Sequence, residues 1–332
     1  MNKKSLHNIW TDLTAPFFVL APLDDVSDTV FRQVVAKAAK PDLFFTEFTN
    51  VDGYFSPGQA SVGRKLRWDS QVEQPLIAQI WGKQPENYFR MALELTQKGF
   101  AGIDINMGCP EKSVVKSGNG AGIIGDFERA AAIIKAVQDG SNGKLPVSVK
   151  TRLGINTIIT EEWASFLLRQ GLAALTIHGR TAKEMSKVPA HWDEIGKVVK
   201  LRDELAPATK IVGNGDVLSR AQGLALAQQW GVDGIMIGRG VFQNIHVFEK
   251  EPTRHSAEEL VSILTYHLNL HERTWAGQKH FEPLKKFFKI YINGFANASA
   301  MRAELMDCKD YAQARVVIEA WRERIAGEHS AS

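Results

Sequence analysis

A cysteine just past one apolar run, a lone lysine at the end of the next and two glycine-rich turns further on are the parts of this chain that could do chemistry. Cys109 lies three residues beyond Asn106. A free thiol titrates near pH 8.5, so at neutral pH it can give up a proton. The commoner fate of a cysteine is packing as a small apolar side chain. Its place after Asn106 favours the acid for Cys109, while Cys308, on a helical pattern, takes the packing role. Lys112 and Lys116 share the Cys109 loop and bear on its ionisation. That loop, with Gly118-Asn119-Gly120-Ala121-Gly122, has the composition of a lid. Lys150 is costly to bury unless it faces an anion. It could form a Schiff base or neutralise charge on a cofactor. The turns Gly213-Asn214-Gly215-Asp216 and Gly238-Arg239-Gly240 let backbone N–H groups approach phosphate oxygens, and Arg239 adds a forked donor. The phosphate could belong to a substrate or to a flavin. The histidines show no metal-ligand spacing with cysteines or acids.

The elements that must position these residues follow from eight apolar runs, at 17–21, 43–48, 76–80, 103–107, 147–151, 175–178, 211–214 and 234–237. They are continuous rather than alternating, which is the pattern of parallel strands buried on both faces. Helical segments intervene at 86–98, 127–138, 161–170, 190–205 and 220–230, and Gly99, Gly171 and Gly231 suit helix C-termini. Eight such repeats in about 240 residues predict an α/β fold, a (β/α)8 TIM barrel, in preference to an open doubly wound sheet. In a barrel the residues closing the strands gather at one mouth. Here these are Asp24 and Asp25, Thr46 and Glu47, Gln79, Asn106, Lys150 and Arg152, His178 and Arg180, Asn214 and Asp216, and Arg239.

After Glu251-Pro252 the strand signal stops, and helices are predicted over 258–275, 282–292, 298–306 and 311–325. The expected domains are a barrel at 1–250 and a small all-helical domain at 251–332. Between Arg273 and Arg302 lie six cations, Arg273, Lys279, Lys285, Lys286, Lys289 and Arg302, and one acid, Glu282. Trp275, Phe281, Phe287, Phe288, Tyr291 and Phe295 are interleaved. A basic stripe beside aromatics suits a phosphate backbone and exposed bases. The same aromatics would equally form the core of a small bundle.

Composition sets the outer bounds. The chain has 332 residues, 44% hydrophobic and 23% charged, which excludes a disordered, collagenous or coiled-coil chain. A net charge of +3 does not by itself announce a nucleic-acid partner. Two cysteines exclude a disulfide scaffold and a Cys-rich zinc module. No run reaches the ~18 apolar residues that span a membrane. Lys3 and Lys4 precede only a short apolar run broken by Pro16 and Pro22, unlike a secretory leader. A cytoplasmic protein is expected.

Taken together these segments resemble the tRNA-dihydrouridine synthase family, flavin enzymes that reduce uridine in transfer RNA. The resemblance rests on Ala21-Pro22-Leu23 with Val26-Ser27-Asp28, Gln79-Ile80 with Gly82, and Asp104-Ile105-Asn106-Met107-Gly108-Cys109-Pro110 through Gly120-Ala121. It continues in Val149-Lys150-Thr151-Arg152, Thr176-Ile177-His178-Gly179-Arg180-Thr181, Gly213-Asn214-Gly215-Asp216-Val217 and Ile237-Gly238-Arg239-Gly240. The tail, with Phe281-Glu282-Pro283-Leu284-Lys285-Lys286, resembles the family's helical RNA-binding domain. The resemblance implies FMN at the barrel mouth, with Pro22, Leu23 and Asp24 along it, Gln79 and Lys150 at its ring, and Asn106 among its binding residues. His178 would lie close by, and Asn214, Gly215, Asp216, Gly238 and Arg239 would take its phosphate end. It further implies Cys109 as proton donor and NADPH as reductant. Arg152, Arg180, Lys285, Lys286 and Lys289 would contact tRNA, and no metal is implied. Asp24-Asp25 depart from the smaller or uncharged residues usual there, and Leu23 replaces a frequent methionine. Trp81 would stack on substrate or pack. The nearest rival is a small-molecule flavin barrel of the dihydroorotate dehydrogenase type, whose corresponding motif reads Asn-x-Ser-Cys-Pro-Asn. A second rival is a non-enzymatic RNA-binding protein on a decayed barrel, against which intact Cys109, Lys150 and Arg239 speak.

Overall fold

The computed structural model describes residues 8–330, so Lys3 and Lys4 lie outside the described residues. Nine strands make one parallel sheet: β1 (Phe17–Leu20), β2 (Phe44–Phe45), β3 (Thr49–Asn50), β4 (Leu76–Trp81), β5 (Gly102–Met107), β6 (Val147–Arg152), β7 (Ala174–His178), β8 (Lys210–Asn214) and β9 (Gly234–Ile237). From β4 to β9 each strand pairs with its predecessor, and β9 pairs with β1. A bridge from Val19 to Leu43 and the bond from the Leu20 N–H to the Leu43 carbonyl (3.2 Å) join β1 to the chain entering β2. The eight-membered barrel expected from the apolar runs is therefore present. The second run differs in one respect: it splits into β2 and β3, both paired to β4. Thr46 and Glu47 occupy the break. The Thr46 hydroxyl accepts from the Gln79 N–H, and Glu47 accepts from the Asp25 N–H, so side chains do there what ladder bonds do elsewhere.

The barrel interior is filled rather than hollow. Phe17, Val19, Phe45, Ile77, Ala174, Val212 and Met236 pack together with Ile9 and Trp10 from a short helix before β1 (Ile9–Asp12). The fully buried Trp10 ring meets Phe17 and Phe45 at centroid distances of 6.1 and 6.3 Å. Filling this end leaves the C-terminal strand ends as the place for chemistry. The helices expected between strands are present, and Gly99, Gly171 and Gly231 all take positive φ at or just past helix ends.

The chain forms two compact units. One comprises residues 1–29 and 41–238, the other 30–40 and 239–332. The boundary expected near residue 250 thus falls after Gly238, and the helical residues 30–40 join the tail. The reason is aromatic packing. Phe31 stacks on Phe287 (5.1 Å) and Phe242 (6.2 Å), while Val30 packs with Leu270 and Trp275. The predicted tail helices appear as Ala257–Trp275, Ala298–Asp307 and Tyr311–Ser330, with a 3-10 turn at Glu282–Phe287 running into Phe288–Tyr291. The interleaved aromatics are mostly core. Trp275, Phe281, Phe287, Phe288 and Tyr291 are buried, and the Tyr291 hydroxyl meets His267 Nδ1 at 2.7 Å.

Although sequence spacing suggests no metal ligands, His246, Glu249 and His255 come together in this unit. The two rings stack at 3.4 Å, only 10° from parallel, so their nitrogen lone pairs run side by side rather than converge. Glu249 is engaged with His255 at 2.9 Å.

Candidate active site

Cys109 stands where β5 ends, and the local backbone holds it tightly. Asn106 Oδ1 accepts the N–H groups of Gly108 (3.0 Å) and Cys109 (2.9 Å). The Cys109 carbonyl accepts from the Ala121 N–H at 3.0 Å. This close return of the loop explains Gly120. With φ +54°, a Cβ there would lie 2.9 Å from the Cys109 carbonyl oxygen and 3.0 Å from its Cβ. The loop with the composition of a lid is tied down, since Arg129 donates to the Gly118 carbonyl (2.6 Å) and to Asn119 Oδ1 (2.9 Å). The thiol is partly buried, and burial pushes its pKa up. The nearby charge of Asp24 acts in the same direction and that of Arg152 against it. Lys112 and Lys116 are exposed and do not offset the rise. Cys109 is therefore a protonated thiol at neutral pH.

Lys150 lies beside Asn106 in the β5–β6 register. Burial, and then the charge of Arg152, lower its pKa to about 8, with Asp104 and Cys109 opposing. Among the described residues its ammonium makes no hydrogen bond or ion pair within reach. Beneath it, Gln79 Nε2 donates to Asp104 (2.7 Å), and Asn106 Nδ2 donates to Gln79 Oε1 (3.1 Å).

The two arginines assigned to RNA are placed differently from that expectation. Arg152, only 6% exposed, donates to the carbonyls of Gly108 (2.8 Å), Thr181 (3.0 Å) and Met185 (3.3 Å). Arg180, only 2% exposed, bonds the Val188 carbonyl (2.6 Å), Asp216 and His178 Nε2 (3.3 Å). An arginine can only donate, so His178 Nε2 accepts and Nδ1 carries the proton. Both guanidiniums brace loops and are not offered to a phosphate chain. Asp216, at φ +55°, also accepts the Ala190 N–H (2.9 Å), which commits its carboxylate internally. Asn214 Nδ2 donates to the Met236 carbonyl at 2.8 Å. Gly215 has φ +140°, and a Cβ there would stand 2.6 Å from Ala190 Cβ.

On the other wall Pro22 and Leu23 are half-buried, and Asp24 is exposed and paired with Lys65. Trp81 packs edge-on against Phe48 at 6.3 Å. Arg239 is exposed and opens a 3-10 turn in the second unit. In that unit Lys285 is also not where its assignment to tRNA needs it. Its side chain is 5% exposed, and the ammonium binds Glu282 (2.9 Å) and the Met306 carbonyl (2.7 Å). Lys286 and Lys289 are exposed.

The residues present suit a flavin nucleotide, with a cation for its ring and open backbone for its phosphate end. Lys150 is an unmatched cation at the mouth. At Gly238 a Cβ would meet only ordinary contacts (3.6 Å to Ala21 Cβ), so its protein neighbours do not demand the glycine. A ligand approaching the backbone would.

Comparison with known proteins extends this picture. The model of the dihydrouridine synthase (Dus) family matches residues 19–326, barrel and helical segment together. A Bacillus subtilis (strain 168) protein named "Probable tRNA-dihydrouridine synthase 2" is 49% identical over 315 residues, 94% of this chain and 96% of that protein. A Staphylococcus epidermidis protein named "Probable tRNA-dihydrouridine synthase" is 49% identical over 321 residues, 96% of this chain and 97% of its own. The solved structure of morphinone reductase shares the fold, with a TM-score of 0.52 at 13% identity over 75% of this chain and 90% of that one. With the motif around Cys109 and the helical tail both inside the match, the chain belongs to the dihydrouridine synthase family.

Proposed function

We propose that the protein is an FMN-dependent, cytoplasmic enzyme that reduces specific uridines of tRNA with NADPH, Cys109 being the proton donor. The observation that carries this reading is a half-buried, protonated thiol fixed at the end of β5 beside an unmatched lysine. FMN, when bound, supplies hydride transfer from NADPH to C6 of the uracil C5=C6 bond. As that bond is reduced, negative charge builds towards C5 and O4 of the base. Cys109 gives its proton to C5 and recovers one from solvent. Lys150 holds positive charge against the flavin ring, with Gln79 and Asn106 as hydrogen-bonding partners there. Pro22 and Leu23 line the wall, and the backbone of Asn214 to Asp216 and Gly238 serves the phosphate end. Arg180 and Asp216 keep that turn in place. Lys286 and Lys289 supply phosphate contacts for tRNA, whose target base must leave its stack to react.

The test separates two half-reactions. The purified protein should release FMN on denaturation or accept it on reconstitution. Cys109→Ala should keep near-normal flavin reduction by NADPH and reoxidise slowly with tRNA, by about 10²–10⁴-fold. Cys308→Ala, at a buried packing position, should change neither step. A protein that cannot take up FMN contradicts the reading, as does a Cys109→Ala variant that reoxidises at the normal rate.

A further inference from the structure

Asp104 sits two residues before Asn106, so both side chains lie on one face of β5. It is fully buried. Its carboxylate accepts from Ser148 Oγ (2.6 Å) and from Gln79 Nε2 (2.7 Å). Gln79 Oε1 in turn accepts from Asn106 Nδ2 (3.1 Å). Asn106 Oδ1 accepts the backbone N–H groups of Gly108 and Cys109.

The polarity of this relay is fixed at both ends. An ionised carboxylate only accepts, and a backbone N–H only donates. Between those ends each amide has one orientation that suits both neighbours. Turning either amide over sets N–H against N–H or oxygen against oxygen, a buried mismatch that leaves polar groups unsatisfied. We propose that Asp104 is a positioning residue which, through Gln79 and Asn106, orients the Gly108–Cys109 backbone and so places the Cys109 thiol. Lys150 on the neighbouring strand β6 is the charged group that acts on Asp104, and the Thr46 hydroxyl, in the break between β2 and β3, holds the Gln79 N–H. Arg152 grips the Gly108 carbonyl from the opposite side, so both polar groups of that residue are committed. Burial raises the Asp104 carboxyl to about 6, which leaves it ionised, and acceptor-only, at neutral pH. The catalytic meaning of the relay rests on Cys109 being the proton donor; the relay itself rests on geometry.

Two variants of similar volume separate positioning from packing. Asp104→Asn can still accept from Gln79 through Oδ1 while its Nδ2 donates to Ser148. Asp104→Leu fills the space and accepts nothing. The readouts are hydrogen exchange at the Gly108 and Cys109 amides and alkylation of Cys109 by iodoacetamide, with Cys109→Ala as background. Both are taken on FMN-free and FMN-loaded protein. Asp104→Asn should stay within about threefold of wild type, and Asp104→Leu should speed amide exchange by about tenfold or more. Wild-type exchange in Asp104→Leu overturns the proposal. If Asp104→Leu does not fold, Gln79→Leu cuts the same relay one step later. Combined with Asn106→Leu, it should loosen the loop no further than Asn106→Leu alone, and additive loosening overturns the relay. Dihydrouridine formation by Cys109→Ala at the wild-type rate would instead remove Cys109 as the acid, while the exchange data still decide the relay.

Discussion

The barrel mouth and the helical unit use the same cations in opposite ways. At the mouth Arg152 and Arg180 are spent on carbonyls, on Asp216 and on His178, while among the described residues the Lys150 ammonium has no hydrogen-bond or ion-pair partner. In the helical unit Lys285 and Arg302 turn inward, to the Met306 and Ile292 carbonyls, while Lys286 and Lys289 remain at the surface over an aromatic core. An internal guanidinium fixes the shape of a loop, and its worth depends little on salt. A surface ammonium attracts phosphate and is screened by salt. Under the function proposed above, site geometry falls to the first set and RNA affinity to the second.

The largest effect should come from Lys150, the unmatched cation beside Cys109. Lys150→Ala should slow uridine reduction by about 10²–10³-fold, the usual loss when a preorganised charge stabiliser is removed. Single-turnover kinetics check this, and a rate within threefold of wild type would contradict a charge-stabilising role for Lys150. Arg180→Ala removes the guanidinium that pairs with Asp216 and bonds the Val188 carbonyl, and should cost about 2–3 kcal/mol of stability, read from denaturant unfolding. It should leave the salt dependence of tRNA binding unchanged. If instead the slope falls and stability does not, Arg180 meets phosphate after all. The helical unit gives the converse case. Lys286→Ala with Lys289→Ala should flatten the log–log salt slope of tRNA binding by about 1.5–2, whereas Lys285→Ala should lower stability and leave the slope alone.

A pH-dependent effect concerns Asp104, a buried acid of the mouth. Its folded-state pKa of about 6 lies above the ordinary 3.8. The folded chain therefore binds this proton more readily than the unfolded chain. The stabilisation is complete below pH 4 and is lost as pH rises through about 6. Asp104→Asn carries no such titration. Melting temperatures of the two proteins should diverge between pH 4 and 6, in favour of the variant, and run parallel above pH 7. Parallel curves throughout would mean that the carboxyl is not raised.

Much of the fold was legible in the sequence because buried parallel strands leave continuous apolar runs, and these place β1 and β4 to β9. The break at Thr46-Glu47 was not, since it is made by side-chain bonds to Gln79 and Asp25 rather than by composition. Nor was the transfer of residues 30–40 to the helical unit, because a local pattern does not say that Phe31 will stack on Phe287. In the site, Cys109, Asn106, Gln79 and Lys150 could be read from their places at strand ends. The fates of Arg152, Arg180 and Lys285 could not, because whether a cation meets a carbonyl or solvent is decided by distant backbone. Asp104 did leave a signal, an acid within the apolar run 103–107 and in step with Asn106.

The account stands most directly on the formation of dihydrouridine itself. Purified protein with FMN, NADPH and tRNA lacking the modification should be assayed for dihydrouridine by mass spectrometry, beside Cys109→Ala. The account predicts dihydrouridine at discrete tRNA positions with the wild type, and a rate about 10²–10⁴-fold lower with the variant. No dihydrouridine from FMN-loaded wild-type protein, or equal rates from the two proteins, would contradict it.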